Sequence, residues 1–183
     1  MAYIGLRKPF VGKRTGEGTY SDPFAFGKAV SVTDTPNVAS AELYGDDVLA
    51  ESEKGVTSTA IELGITDIPD DAYVDMFGHT KGANTSEITY AIDDAANYCG
   101  LGLIGVKKVD GVRKFEARWY PKVLFDEPTT SINTKADSTE FQTPSTTGTG
   151  MANDSGVWRQ TETFSTEAEA LAYINKKFGK TTT

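Results

Sequence analysis

Asp46, Asp47, Glu51 and Glu53 fall within eight residues and face one nearby base, Lys54. Such a carboxylate cluster is the first place to look for a hard cation, which takes several oxygen ligands. The spacing fits no calcium loop, and the glycine that such a loop needs at its sharp turn is missing. Glu62 and Asp67 offer a carboxylate pair for acid–base work. Their neighbours bring no nucleophile, phosphate loop or metal set. His79 is the only histidine and Cys99 the only cysteine. No HExxH, GxSxG or CxxC motif accompanies either one, so zinc and triad chemistry lack partners. His79 stands where a helix is expected to end, which mildly favours a cation, and is read as structural. Cys99 reads as a small buried hydrophobe. No catalytic residue, metal site or cofactor is assigned, and an enzyme is the weakest function class for this chain.

The elements around the acids suggest another use for them. Residues 41–78 read as strand, acidic excursion, strand and helix. From Val56 the odd positions are Thr57, Thr59, Ile61, Leu63 and Ile65, and the even ones are Ser58, Ala60, Glu62 and Gly64. That alternation predicts a strand buried on one face. Asp67 and Pro69 open a short helix that Gly78 ends. The excursion from Tyr44 to Gly55 is too polar to join its own core, so it is expected to project. A loop of this length without a core is usually functional. It reads as an arm that reaches a neighbouring subunit.

Composition sets the remaining limits. The 183 residues are 38% apolar and 24% charged, which suits one globular domain. That domain is placed at residues 23–179, after a flexible N-terminal arm at 1–22 and before a loose tail at 180–183. The arm carries Arg7, Lys8, Lys13 and Arg14, a basic cluster on a chain of net charge −8. This balance argues against a phosphate-neutralising surface. A lone cysteine requires no oxidising compartment. MAYIGLRKPF lacks the apolar core of a signal peptide, and no apolar run is long enough to span a membrane.

The rest of the chain predicts mainly strands. Phe24–Val32 alternates, and Pro36 marks a turn over Thr33–Asn37. Ser86–Ile92 and Leu101–Val109 follow, and Asp110-Gly111 is a hairpin signal. Val112–Phe125 is the strongest strand, where Pro121 marks a sheet edge or a bulge. Glu140–Thr149 and Val157–Phe164 complete the set. Thr166 and Glu169 form a capping box for a last helix with the apolar stripe Leu171, Ile174 and Phe178; Gly179 stops it. The fold class is mainly β (β+α), a sandwich or barrel with one mid-chain and one C-terminal helix.

Four segments, in this order and spacing, resemble one family: Tyr3-Ile4-Gly5-Leu6; Ala41-Glu42-Leu43-Tyr44-Gly45-Asp46-Asp47; Phe77-Gly78-His79; and Glu140-Phe141-Gln142-Thr143-Pro144 with Thr147-Gly148-Thr149. They are similar to the phi13-like major tail proteins of long-tailed phages of Gram-positive bacteria, over roughly Tyr3 to Trp158. The resemblance implies a tail-tube fold and a structural virion protein, assembled in the bacterial host cytoplasm. Hexameric rings would stack into a non-contractile tube around a tape-measure protein, between tail terminator and distal tail proteins. DNA would cross the lumen only in passing, with no membrane involved. Tyr44, Asp46, Asp47, Glu51, Glu53 and Lys54 would then contact the next ring, the acids among them pairing with Arg7, Lys8, Lys13 or Arg14 of another subunit. An acidic wall would keep phosphates from adhering. The alternative is a host-surface or carbohydrate-binding β-module, which would present aromatic platforms in a pocket. Trp119 and Trp158 lie on apolar strand faces instead.

Overall fold

The computed structural model describes residues 2–45, 48–83, 85–131 and 143–180. In chain order the strands are β1 (Ala2–Gly16), β2 (Thr19–Tyr20), β3 (Phe24–Ala25), β4 (Ala29–Gly45) and β5 (Val48–Ile65). Helix α1 (Asp70–Asp75) follows, then β6 (Thr80–Lys81), β7 (Ile88–Thr89), β8 (Tyr98–Val109), β9 (Val112–Phe125), β10 (Ser145–Gly150), β11 (Gln160–Phe164) and α2 (Glu167–Lys177). The protein is mainly β. Among the described residues nine strands form one antiparallel sheet in the order β2-β1-β8-β9-β10-β5-β4, with β3 on β1 and β11 on β9. β6 and β7 pair separately.

The sheet buries both faces. On one face Val11, Ile61, Leu63, Ile65, Leu101, Leu103, Tyr120, Val123 and Phe125 pack against Phe26 and against Ala72, Met76 and Phe77 from α1 and the turn after it. On the other, Ile104, Ala117 and Trp119 receive Ala170, Ile174 and Phe178 of α2. Each element that covers a face is punctuated as its sequence requires. Gly78 ends the α1 segment at φ 78° and Gly179 ends α2 at φ 80°, both left-handed values that glycine adopts at little cost. The Thr166–Glu169 capping box is present, with both reciprocal bonds made.

Several expectations hold and several are corrected. Thr59, Ile61, Leu63 and Ile65 are buried while Ala60 and Glu62 are exposed, as the alternation required; Thr57, exposed, and Gly64, buried, depart from it. Asp110 and Gly111 turn the β8–β9 hairpin at φ 50° and 83°. Residues 1–22 are not a flexible arm, because Ala2–Gly16 is a full strand paired along β8. Two register shifts, at Tyr3/Gly5 and Arg7/Phe10, break its period and hid it. Thr33–Asn37 is no turn; β4 runs straight through Pro36, which an edge strand tolerates.

The acidic excursion is not a loop. β4 and β5 stay paired from Ala29↔Ile65 out to Gly45↔Val48, which makes one long hairpin. β9 is not an edge either. It pairs β8 on one side and both β10 and β11 on the other. Pro121 sits at a bulge, where Tyr120 to Val123 on β9 opposes only Leu101 to Cys99 on β8. The Phe24–Val32 strand is interrupted by Phe26-Gly27-Lys28, with Gly27 at φ 60°. The Ser86–Ile92 strand shrinks to Ile88–Thr89, and the Val157–Phe164 strand begins at Gln160. Of the Glu140–Thr149 strand, Ser145 onward is β10, and residues 140–142 lie outside the described residues.

Candidate self-association surfaces

The β4–β5 hairpin has an anchored base and a projecting outer half. At the base, Asp34 accepts hydrogen bonds from Tyr120 Oη at 2.9 Å and Arg118 Nη1 at 3.2 Å, and pairs closely with Arg159. Burial raises the Asp34 pKa, but these donors outweigh it and hold the carboxyl below its usual range. Arg118 also donates to Glu116, which accepts from Lys107 Nζ at 2.7 Å and from Tyr3 Oη at 2.7 Å. Burial of Glu116 acts to raise its pKa; the three donors overcome that and bring it down to about 2. This buried network ties β4 to β1, β8 and β9, so the hairpin leaves the sheet at a fixed place.

Beyond the base the burial pattern changes. Residues 35–42 of β4 and 53–57 of β5 are exposed at every position, on both faces. Val38 and Val56, register partners, are 54% and 42% exposed. Paired strand rises about 3.3 Å per residue, so Pro36–Gly45 projects by roughly 30 Å. Among the described residues β4 pairs with β5 alone, which leaves its outer backbone groups without a ladder partner.

A second open edge faces the first. The Ala2–Arg7 part of β1 pairs only with β8, while β2 and β3 join β1 farther along, at Phe10–Gly16. It lies beside the start of β4 across a cavity of about 370 Å³. Tyr3, Ile4, Leu6, Val30, Val32 and Arg118 line it, and Tyr3, Ile4 and Val30 are each more than half exposed. The sheet curls until its two free edges nearly meet, with apolar side chains between them.

The structure brings together only some of the residues expected at an interface. Asp46 and Asp47 lie outside the described residues. Tyr44 and Glu51 are ladder positions opposite Leu49 and Leu43, while Glu53 and Lys54 are exposed opposite Ala41 and Ser40. Arg7 and Lys8 are already engaged within the chain, both on Glu167 at the start of α2, at 2.6 and 3.1 Å. Arg14 pairs with Glu17. Lys13, half-buried, lies near Asp75.

Sequence reasoning missed the Asp34 and Glu116 network; only the shared parity of Glu116, Arg118 and Tyr120 hinted at it. It also missed the partners of His79. Nδ1 of His79 lies 2.7 Å from Asp94 Oδ2, and Nε2 contacts Glu127. Burial lowers the His79 pKa, and the two carboxylates more than reverse this, so the imidazole is raised above its ordinary value. The ring packs on Tyr90 at 4.3 Å.

Glu62 and Asp67 are both exposed. Among the described residues no three His, Cys, Asp or Glu side chains are grouped to hold a metal, and no helix is long and apolar enough to cross a membrane. The chain matches no protein-family model and no curated protein.

Proposed function

We propose that this protein is a structural subunit that polymerises into a phage tail tube. The observation that carries this reading is the β4–β5 hairpin, exposed on both faces over residues 35–42 and 53–57 and bounded by an unladdered edge. A solitary protein has no use for a solvent-exposed arm of this length, and an open edge of this length is an aggregation hazard. In a polymer both are contacts. A hairpin that engages a different surface on the next copy makes a heterologous interface, which closes into rings or propagates along an axis. The two open edges, β1 and β4, offer strand addition through backbone groups alone.

Hexameric rings, their stacking, the tape-measure protein in the lumen and the terminator and distal tail proteins at the ends follow from the resemblance to major tail proteins. The net charge of −8 suits a wall along which DNA slides without sticking. Negative-stain microscopy of the purified protein tests the reading: rings and tubes support it, and isolated particles at every concentration overturn it.

A second cavity, of about 520 Å³ between α2 and β11, supports a carbohydrate-binding alternative. Tyr20 and Tyr173 border it beside Gln160, Glu162 and Lys176, the mixture of rings and polar groups that holds a sugar. Binding of cell-wall glycans by a protein that stays monomeric would favour that reading.

A further inference from the structure

The tip of the β8–β9 hairpin is basic on an acidic protein. Lys107, Lys108, Arg113 and Lys114 crowd it, with Asp110 in the turn. The register sets Lys107 opposite Lys114 and Lys108 opposite Arg113. Like charges directly opposite each other on a ladder oppose folding. Two of the four are relieved within the chain: Lys107 binds Glu116 at 2.7 Å, and Lys114 donates to Ser165 Oγ at 3.1 Å. Lys108 and Arg113 are exposed, and among the described residues neither has an acidic partner.

Alternation from Ile104 through Val106 places Lys108 on the α2 side of the sheet, and Arg113 with it. Arg7 and Lys8 approach the same side, where Glu167 serves both. Glu167 is taken up by those two, and among the described residues Lys108 and Arg113 form no ion pair there. The β4–β5 hairpin carries the opposite charge on a projecting element, with Asp46, Asp47, Glu51 and Glu53 against Lys54 in its sequence.

We propose that Lys108 and Arg113 form the docking surface for the acidic β4–β5 hairpin of a second copy of this chain. The inference rests on the self-assembly reading and corrects it in one respect. Of the four N-terminal cations first expected to receive the acids, three are already paired: Arg7 and Lys8 with Glu167, and Arg14 with Glu17. The unneutralised pair at the β8–β9 tip takes that place. Opposite charge across such a contact fixes the partner and speeds encounter more than it adds raw affinity.

The test is a charge swap followed by sedimentation velocity and microscopy. One variant carries Lys108→Glu and Arg113→Glu; the other carries Glu51→Lys and Glu53→Lys. Each alone is expected to associate about tenfold or more weakly than the unaltered protein. Far-UV spectra and melting temperature of the first variant should be unchanged, because Lys108 and Arg113 are exposed, and the same measurements check that the second is folded. An equimolar mixture of the two variants is expected to recover assembly, because each supplies the other's complement. If the Lys108→Glu, Arg113→Glu variant assembles like the unaltered protein, the docking surface is wrong and self-assembly stands. If both variants fail and the mixture also fails, these charges do not meet each other and the proposal is overturned. If the unaltered protein never associates, this inference and the reading beneath it fall together.

Discussion

Asp34 of β4 accepts a hydrogen bond from Tyr120 of β9 at 2.9 Å, although the two strands are not ladder neighbours. The contact, with Arg118 and Arg159 on the same carboxylate, clamps the base of the hairpin onto the sheet. Removing one member of a buried charge network strands the others. Asp34→Ala is expected to lower the unfolding free energy by about 3 kcal/mol, read from urea denaturation. It should also weaken assembly, since the arm loses its fixed exit.

The same network sets the acid limit of the fold. Asp34 and Glu116 both have depressed pKa values, Glu116 down to about 2. Their stabilisation is complete above the unfolded carboxylate pKa, about 4, and is lost as pH falls through the folded values. The urea midpoint should therefore hold steady above about pH 5 and drop steeply below about pH 4. In Glu116→Gln that drop should be visibly shallower.

His79 has the opposite sign. Its folded pKa is raised, so its contribution is complete below the unfolded value of about 6.5 and fades as pH rises through the folded one. Melting temperatures of the unaltered protein and of His79→Gln should differ most near pH 6 and converge above neutrality. As the only histidine, it gives one imidazole signal in a nitrogen-correlated NMR titration, and that signal should titrate above 6.5.

The outer half of the hairpin is expected to matter to assembly and not to the monomer. Replacing residues 39–55 by Asn-Gly joins Val38 and Val56, which already face each other in register, through a two-residue turn. Stability should change by less than about 1 kcal/mol, since every described side chain in the deleted part is exposed. Self-association should vanish. Reversing Asp46 and Asp47 to lysine should impair it partially while leaving the monomer folded.

Local signals were legible in the sequence, and long-range ones were not. The buried parity of Ile61, Leu63 and Ile65, the Asp110-Gly111 turn and the Thr166–Glu169 box are each written within a few residues, and each is present in the fold. β1 was misread because two bulges reverse its alternation, so neither a strand nor a helix period survives. Pro121 left β9 open between an edge and a bulge, because it signals a missing ladder bond without saying which absorbs it, and the structure has the bulge. The hairpin partners Asp34 and Arg159 lie 125 residues apart, and Arg7 and Glu167 lie 160 apart. No local pattern encodes such pairs.

Sedimentation velocity of the purified protein over a wide concentration range, with microscopy of the same samples, is the most direct measurement. Tube assembly predicts a concentration-dependent shift from monomer to rings and filaments of uniform width. A single monomeric boundary at every concentration, with no ordered particle in the micrographs, would contradict it.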